Sequence, residues 1–180
     1  MWDPVACCSD VGGTIVTQPG QLREILARAG RKGAFCVIYQ PRGGDLVEHW
    51  EHVGWMCIKA GNLILMADEI DQVCSSGSAK NAASPYWKKF QRMPALETIV
   101  QYGRHSHVAF IGVARAPQDV WRRLTGQSER MLVFRMSERL ELDAVRGRMG
   151  SETDRLPALG EYQYLDWHDG GETTEGGGRL

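Results

Sequence analysis

The sequence lacks the features that mark several common functional classes. Its five cysteines form no C-x-x-C pair, so neither a zinc ribbon nor a redox motif is indicated. No apolar run approaches the length of a membrane-spanning helix, and we expect neither a signal peptide nor a membrane partner. The net charge of −1 supplies no overall attraction toward nucleic acid, so such affinity must come from a local patch. Unpaired cysteines predict a reducing compartment, the cytoplasm.

Motifs of phosphate binding and nucleophilic catalysis are also missing. No glycine is followed directly by lysine, so the 180 residues contain no G-x-x-x-x-G-K-[ST] loop. There is no G-x-S-x-G elbow, and no serine or cysteine has an obvious base partner. The histidine pairs His49/His52 and His105/His107 lack identifiable further ligands, which favours surface histidines over a zinc site.

What the sequence does contain is a regular alternation of strand and helix patterns. Apolar runs predict strands at 34–39, 62–67, 108–113 and 131–134, with helical spacing between the first three. This order predicts an α/β fold with a mostly parallel sheet and helices on both faces. Residues 162–167 predict a final edge strand. We expect one domain over residues 1–169 and a disordered tail over 170–180, where glycine, threonine and glutamate dominate.

The most informative stretch is the apolar run from Leu63 to Ala67, which leads directly into Asp68 and Glu69. Such a run fits a strand buried in a parallel sheet, and the carboxyl end of such a strand opens into a ligand crevice. One carboxylate could hold a magnesium ion while the next polarises an attacking water. Alternatively, Asp68 only caps the following segment. The nearby Asp71 either faces solvent or adds a third carboxylate to a metal site.

Two arginines are predicted to border the same crevice. Arg104 lies between a predicted helix and the 108–113 strand, and Arg115 follows that strand. A guanidinium group offers fixed donors that suit phosphate oxygens. The alternatives are ordinary: Arg104 could simply favour the carboxyl end of a helix, and Arg115 could be a surface residue.

A basic stretch follows the carboxylates. No acidic residue occurs between Asp71 and Glu97, while this interval contains four basic residues: Lys80, Lys88, Lys89 and Arg92. Cations with interleaved aromatic residues suit a phosphate backbone and exposed bases. A solvated loop without a ligand is the alternative.

Taken together, these residues resemble the HerA/FtsK-like group of P-loop ATPases, which includes viral genome-packaging ATPases. The resemblance runs from Trp2 to about Trp167. It rests on the order and spacing of four segments: Trp2-Asp3-Pro4 as a strand end, Leu63 to Glu69 as the Walker B strand, Gly103-Arg104-His105, and Phe110 to Pro117.

The resemblance implies a RecA-like sheet, ATP and Mg²⁺ as cofactors, and a ring-shaped homo-oligomer that moves DNA in the cytoplasm (of a host cell, if the protein is viral). By position it implies that Asp68 supports Mg²⁺, Glu69 is the catalytic base and Arg104 is an arginine finger that reaches a neighbour's nucleotide. Arg115 stands where many relatives have a glutamine that senses nucleotide. The stretch with Lys80, Lys88, Lys89 and Arg92 stands where relatives contact DNA.

One departure from the family is large. Its members begin with a strand, a phosphate-binding loop and a helix ahead of the Trp-Asp-Pro position, so we expect roughly 30 residues before Met1. Without them, a strand edge should be unpaired and ATP hydrolysis should fail. A non-catalytic, degenerate module that binds DNA or an ATPase ring is therefore the main alternative. A metal-dependent nuclease using Asp68, Glu69 and Asp71 is a third.

Overall fold

The chain divides into two compact units, residues 1–115 and 116–180. The structure is a computed structural model that describes residues 1–6, 12–29, 35–73 and 94–177. The sequence predicted a single domain over residues 1–169, whereas the two units divide after Arg115 and differ in how their strands pair. Strands of the first unit pair in parallel, and those of the second pair antiparallel.

The first unit is built on parallel strand pairs. Strand β1 (Thr14–Val16) pairs with β2 (Val37–Tyr39), and β3 (Leu63–Ala67) pairs with β4 (Val108–Gly112). Trp2 forms parallel bridges to both Tyr39 and Ala67, so the amino-terminal segment lies between β2 and β3. The Trp2 amide donates to the Met66 carbonyl at 2.8 Å. The predicted α/β class with parallel pairing is therefore confirmed.

Among the described residues, three helices accompany these strands: α1 (Pro19–Ala29), α2 (Leu46–Ala60) and α3 (Ala95–Tyr102). Helix α2 packs against both α1 and α3, so the described helices of this unit lie on one face. Trp50 of α2 packs edge-on against Trp2 and Phe110. The sequence predicted helices on both faces of the sheet, whereas the described helices of this unit occupy one. Because strand side chains alternate, Ile64 and Ile111 lie on the opposite face, where they are exposed.

Helix α2, the longest described at 15 residues, has well-defined ends. The Asp45 side chain accepts hydrogen bonds from the amides of Val47 and Glu48, which caps the amino terminus. Gly61 ends the helix at a φ of 63°. A Cβ there would lie 2.7 Å from the Ser106 carbonyl oxygen, so only glycine fits. Neither α2 nor any other helix in the described part could cross a membrane.

Helices α2 and α3 are joined by a buried carboxylate. Glu51 is 5 % exposed, and its two oxygens each lie 3.0 Å from the amide nitrogen of Ala95. The indole nitrogen of Trp55 also donates to Glu51, at 3.2 Å. The helices approach so closely that a Cβ on Gly54 would lie 2.6 Å from the Ala95 Cβ. Since Pro94 provides no side-chain cap, Glu51 supplies the acceptor that the first turn of α3 needs.

The second unit is an antiparallel sheet packed on helical segments. Strands β5 (Arg130–Phe134), β6 (Gln163–His168) and β7 (Thr174–Gly177) are ordered β5–β6–β7. The unit also contains helices α4 (Arg122–Gly126) and α5 (Arg139–Met149) and two 3-10 segments (Pro117–Asp119 and Gly150–Ala158). Its core consists of Val133, Val145, Met149, Leu156, Leu159, Leu165 and Trp167.

Two expectations for the carboxyl-terminal region differ from this unit. Strand β6, predicted as an edge strand, is the central strand. Thr174–Gly177, within the stretch predicted to be disordered, forms β7. This strand has little apolar character of its own: Gly176 accommodates the ring of Tyr164, and Glu175 pairs with Arg155 at 3.2 Å. Pairing with β6 rather than local composition therefore accounts for it.

Candidate functional site

Asp68 and Glu69 lie directly after β3, at the carboxyl end of the β3–β4 pair. The carboxyl ends of parallel strands are where α/β proteins place ligands. Two backbone hydrogen bonds fasten the end of β4 beside this turn: the Val113 amide donates to the Ala67 carbonyl at 2.8 Å, and the Ile70 amide donates to the Val113 carbonyl at 2.9 Å. The residues after β3 and after β4 are thus neighbours.

The backbone of Glu69 adopts a left-handed conformation, with φ 46° and ψ 48°. Such a conformation is uncommon outside glycine, asparagine and aspartate, and it clusters at functional sites. The Glu69 amide donates to Asp68 Oδ1 at 3.0 Å, which stabilises the turn. As a result Glu69 is buried, at 8 % exposure, while Asp68 remains partly exposed.

Both carboxylate oxygens of Glu69 have partners. Arg115 Nη2 lies 3.1 Å from Glu69 Oε1, and Gln72 Nε2 donates to Glu69 Oε2. The Arg115 side chain is 72 % exposed, whereas that of Glu69 is 11 % exposed. An ion pair so open to solvent contributes at most about 1 kcal/mol to stability. Arg115 can therefore leave Glu69 for another anion at little energetic cost.

The carboxylates near this turn are the side chains that could hold a metal ion. Mg²⁺ is usually bound through one or two carboxylates, with phosphate oxygens and water completing its octahedron. Asp68 offers a partly exposed carboxylate, and Oδ1 of Asp71 is buried without a hydrogen-bond partner. Within the described ranges there is no group of three or more potential ligand side chains.

Two residues near this edge were not anticipated from the sequence. Gln72 follows Glu69 by three positions, and this helical spacing was the available signal for their contact. Asp3 ends the segment beside β3, is fully buried, and accepts a hydrogen bond from Gln40 Nε2 at 2.9 Å. Its signal was the triplet Trp2-Asp3-Pro4, interpreted only as a strand end.

Arg104 lies at the opposite end of the strands, the amino ends of β3 and β4, which we call the amino edge. It belongs to a 3-10 turn (Gly103–Ser106) before β4, and the Asn62 amide donates to the Ser106 carbonyl of that turn at 3.3 Å. A five-residue strand with a rise of ~3.3 Å per residue separates the two edges by about 16 Å. The expectation that Arg104 borders the same crevice as Glu69 is wrong, because a residue that precedes a parallel strand lies at its amino end.

The structure therefore brings together Asp68, Glu69 and Arg115 and places Arg104 apart from them. The predicted DNA-contacting residues Lys80, Lys88, Lys89 and Arg92 lie outside the described residues.

Comparison with solved structures finds similar folds among viral packaging proteins. One is the genome packaging NTPase B204 from Sulfolobus turreted icosahedral virus 2 in complex with AMPPCP. It has a TM-score of 0.72 and 17 % identity, over 99 % of this chain and 81 % of that one. The same NTPase in complex with ATP-gammaS gives a TM-score of 0.69 at 16 % identity, over 97 % and 78 % of the two chains.

A third similar structure is B204, the DNA-packaging ATPase from Sulfolobus Turreted Icosahedral Virus. Its TM-score is 0.64 at 16 % identity, over 94 % of this chain and 75 % of that one. No protein-family model and no curated protein matches the chain. At these identities the likeness establishes a packaging-NTPase-like fold.

Proposed function

We propose that the chain is the motor domain of a DNA translocase or genome-packaging ATPase of the HerA/FtsK-like type. The observation that carries this proposal is the Asp68–Glu69 pair at the carboxyl end of β3, with Arg115 from the end of β4 against Glu69. The likeness in fold to a viral packaging NTPase supports it. Acting on DNA, such a motor would work in the cytoplasm of a cell or viral host.

The three residues at the carboxyl ends of β3 and β4 have distinct roles in this proposal. Asp68 would hold Mg²⁺, which neutralises charge on the phosphate oxygens when bound. Glu69 would accept a proton from the water that attacks the γ-phosphorus. Arg115 is mostly exposed and adjacent to that base, so its guanidinium would exchange Glu69 for a phosphate oxygen.

The proposal also assigns the remaining parts of a RecA-like motor. Within the described residues β4 pairs only with β3, which leaves its second edge for the strand and phosphate-binding loop that the resemblance implies. Lys80, Lys88, Lys89 and Arg92 would contact DNA. Arg104, on the amino edge, would act on the nucleotide of a neighbouring copy in a ring.

A second candidate is a non-catalytic module that binds DNA or an ATPase ring. What favours it is that the 180 residues include no G-x-x-x-x-G-K-[ST] loop. Such a module would bind no nucleotide, whatever sequence accompanies it.

The deciding experiment measures ATP turnover, with and without duplex DNA, for two forms of the protein. One form is the 180-residue chain; the other adds the in-frame residues encoded ahead of Met1. We expect magnesium-dependent turnover, stimulated by DNA, in the longer form. If calorimetry detects no ATP binding by either form, the motor proposal fails and the non-catalytic module replaces it.

Arg104→Ala tests whether this residue acts across a subunit boundary. Since an arginine finger contributes about 10³-fold or more to turnover, the variant should lose nearly all activity. Mixing it with Glu69→Gln should restore part of that activity, because some interfaces then combine an intact Glu69 with an intact Arg104.

Arg23→Ala, which removes an exposed cation from helix α1, is the matched control and should keep its turnover. Mixtures that stay as inactive as their components would exclude action in trans.

A further inference from the structure

We propose that the amino edge of the β3–β4 pair is a second DNA-contacting surface, the basic edge, formed by Lys59, Arg104, His105 and His107. The inference rests on the proposed function only in taking DNA as the partner. It concerns a face about 16 Å from Asp68 and Glu69, the length of a five-residue strand, and it needs no nucleotide.

The basic edge is assembled from two parts of the chain. Lys59 lies in the last turn of α2, while Arg104, His105 and His107 lie between α3 and β4. Backbone hydrogen bonds hold these parts together: the Leu63 amide donates to the His107 carbonyl at 3.2 Å, beside the Asn62–Ser106 bond. All four basic side chains are exposed.

Positive charge on this edge is not offset by acidic side chains. The sequence has no acidic residue between Glu51 and Asp68, or between Glu97 and Asp119. Among the described residues none of the four forms an ion pair. Elsewhere ion pairs are common, at Arg115, Arg130, Arg139, Arg146, Arg148 and Arg155.

The carboxyl ends of α2 and α3 stabilise cations at this position without occupying their hydrogen-bond donors. A helix carboxyl terminus favours a nearby cation by roughly 0.3–1 kcal/mol, through partial charges that are screened by solvent. That interaction leaves the ammonium and guanidinium donors free toward solvent. Tyr102, 49 % exposed, lies beside His105 with ring centroids 6.5 Å apart and adds a phenol to the surface.

A polyanion suits this arrangement better than a single phosphate group does. One phosphate would engage one or two donors, whereas the basic edge spreads two cations, Lys59 and Arg104, and two imidazoles along two segments. Duplex DNA presents a charge about every 1.7 Å along its axis, and lysine, arginine and tyrosine are common partners of its phosphates. The basic edge therefore fits the backbone of duplex DNA, contacted without regard to sequence.

The test is equilibrium binding of a fluorescent DNA duplex, without nucleotide, at several salt concentrations. The slope of log K against log salt is negative, and each lost phosphate contact reduces its magnitude by about 0.9. Lys59→Ala should therefore reduce the magnitude of the slope by about 0.9 and the affinity about five- to tenfold near 0.1 M salt. The double variant Lys59→Ala, Arg104→Ala should roughly double the change in slope, and Lys59→Arg should keep the wild-type slope.

Arg42→Ala is the matched control, because Arg42 is an exposed cation that follows β2 and therefore lies at the opposite, carboxyl end of the strands. It should bind as the wild type does. Equal slopes for Lys59→Ala and Arg42→Ala would overturn the inference while leaving the motor proposal intact. A wild-type chain without DNA affinity would overturn both the inference and the DNA role. A changed oligomeric state in Lys59→Ala, at unchanged DNA affinity, would instead assign the edge to a second copy.

Discussion

Glu69→Gln is expected to abolish ATP turnover while leaving ATP binding intact. The amide has the shape of the carboxylate and can still accept a hydrogen bond from Gln72, but it cannot take a proton from water. A general base contributes about 10²–10⁴-fold, so turnover should fall by that factor. Substrate binding, which depends on the phosphate contacts rather than on this proton transfer, should change little.

The same substitution should barely affect folding. The partner that it weakens, Arg115, is 72 % exposed, so the free energy of unfolding should change by less than about 1 kcal/mol. Turnover and thermal unfolding should be measured together in the form that includes the residues ahead of Met1. Glu24→Gln, an exposed glutamate on α1, is the matched control. Wild-type turnover by Glu69→Gln would refute the assignment of the base.

Glu51→Ala should produce the largest loss of stability. The substitution removes a buried acceptor of hydrogen bonds from the Ala95 amide and the Trp55 indole, and leaves both donors without that partner. Hydrogen bonds to a charged group contribute about 1.5–3 kcal/mol, and the vacated space adds a cavity cost. We expect a loss of about 3–4 kcal/mol, which corresponds to a melting temperature lower by roughly 10 °C.

Urea titration monitored by tryptophan fluorescence would measure this effect. Glu51→Gln keeps one acceptor oxygen and should lose only part of the stability, whereas Glu24→Ala on the surface of α1 should lose almost none. If Glu51→Ala unfolds at the same urea concentration as the wild type, the hydrogen bonds from Glu51 to α3 do not stabilise the unit. The packing of α2 against α3, including the close approach of Gly54 to Ala95, would then account for the association of the two helices.

Much of the first unit could be predicted because its signals are local. Helix α2 has an apolar stripe, an aspartate cap and a terminal glycine, all within its own sequence. Strand β3 is a continuous apolar run, and its position before Asp68 and Glu69 follows directly from that run. The meeting of Arg115 with Glu69 needed one further assumption, that β3 and β4 are neighbours, and that pairing is present.

The parts that could not be predicted depend on long-range pairing. β1 has three residues and β7 has four, too few for a periodic pattern. The alternation in β6 identifies a strand but not its neighbours. The contact between Glu51 and Ala95 spans 44 positions, and no local spacing signals it. Arg104 was assigned to the wrong end of the strands for a different reason. A residue that precedes a strand of a parallel sheet lies at the amino ends of the strands, and the prediction did not take this direction into account.

The position of Trp2 between β2 and β3 constrains how the protein forms during synthesis. The segment around Trp2 leaves the ribosome before both strands that it bridges, and its partner Ala67 emerges after its partner Tyr39. Such non-local pairing delays folding and prolongs the exposure of apolar surface on the nascent chain. Translation products that stop before β3 should therefore aggregate or bind chaperones, and those that extend past β4 should become resistant to protease.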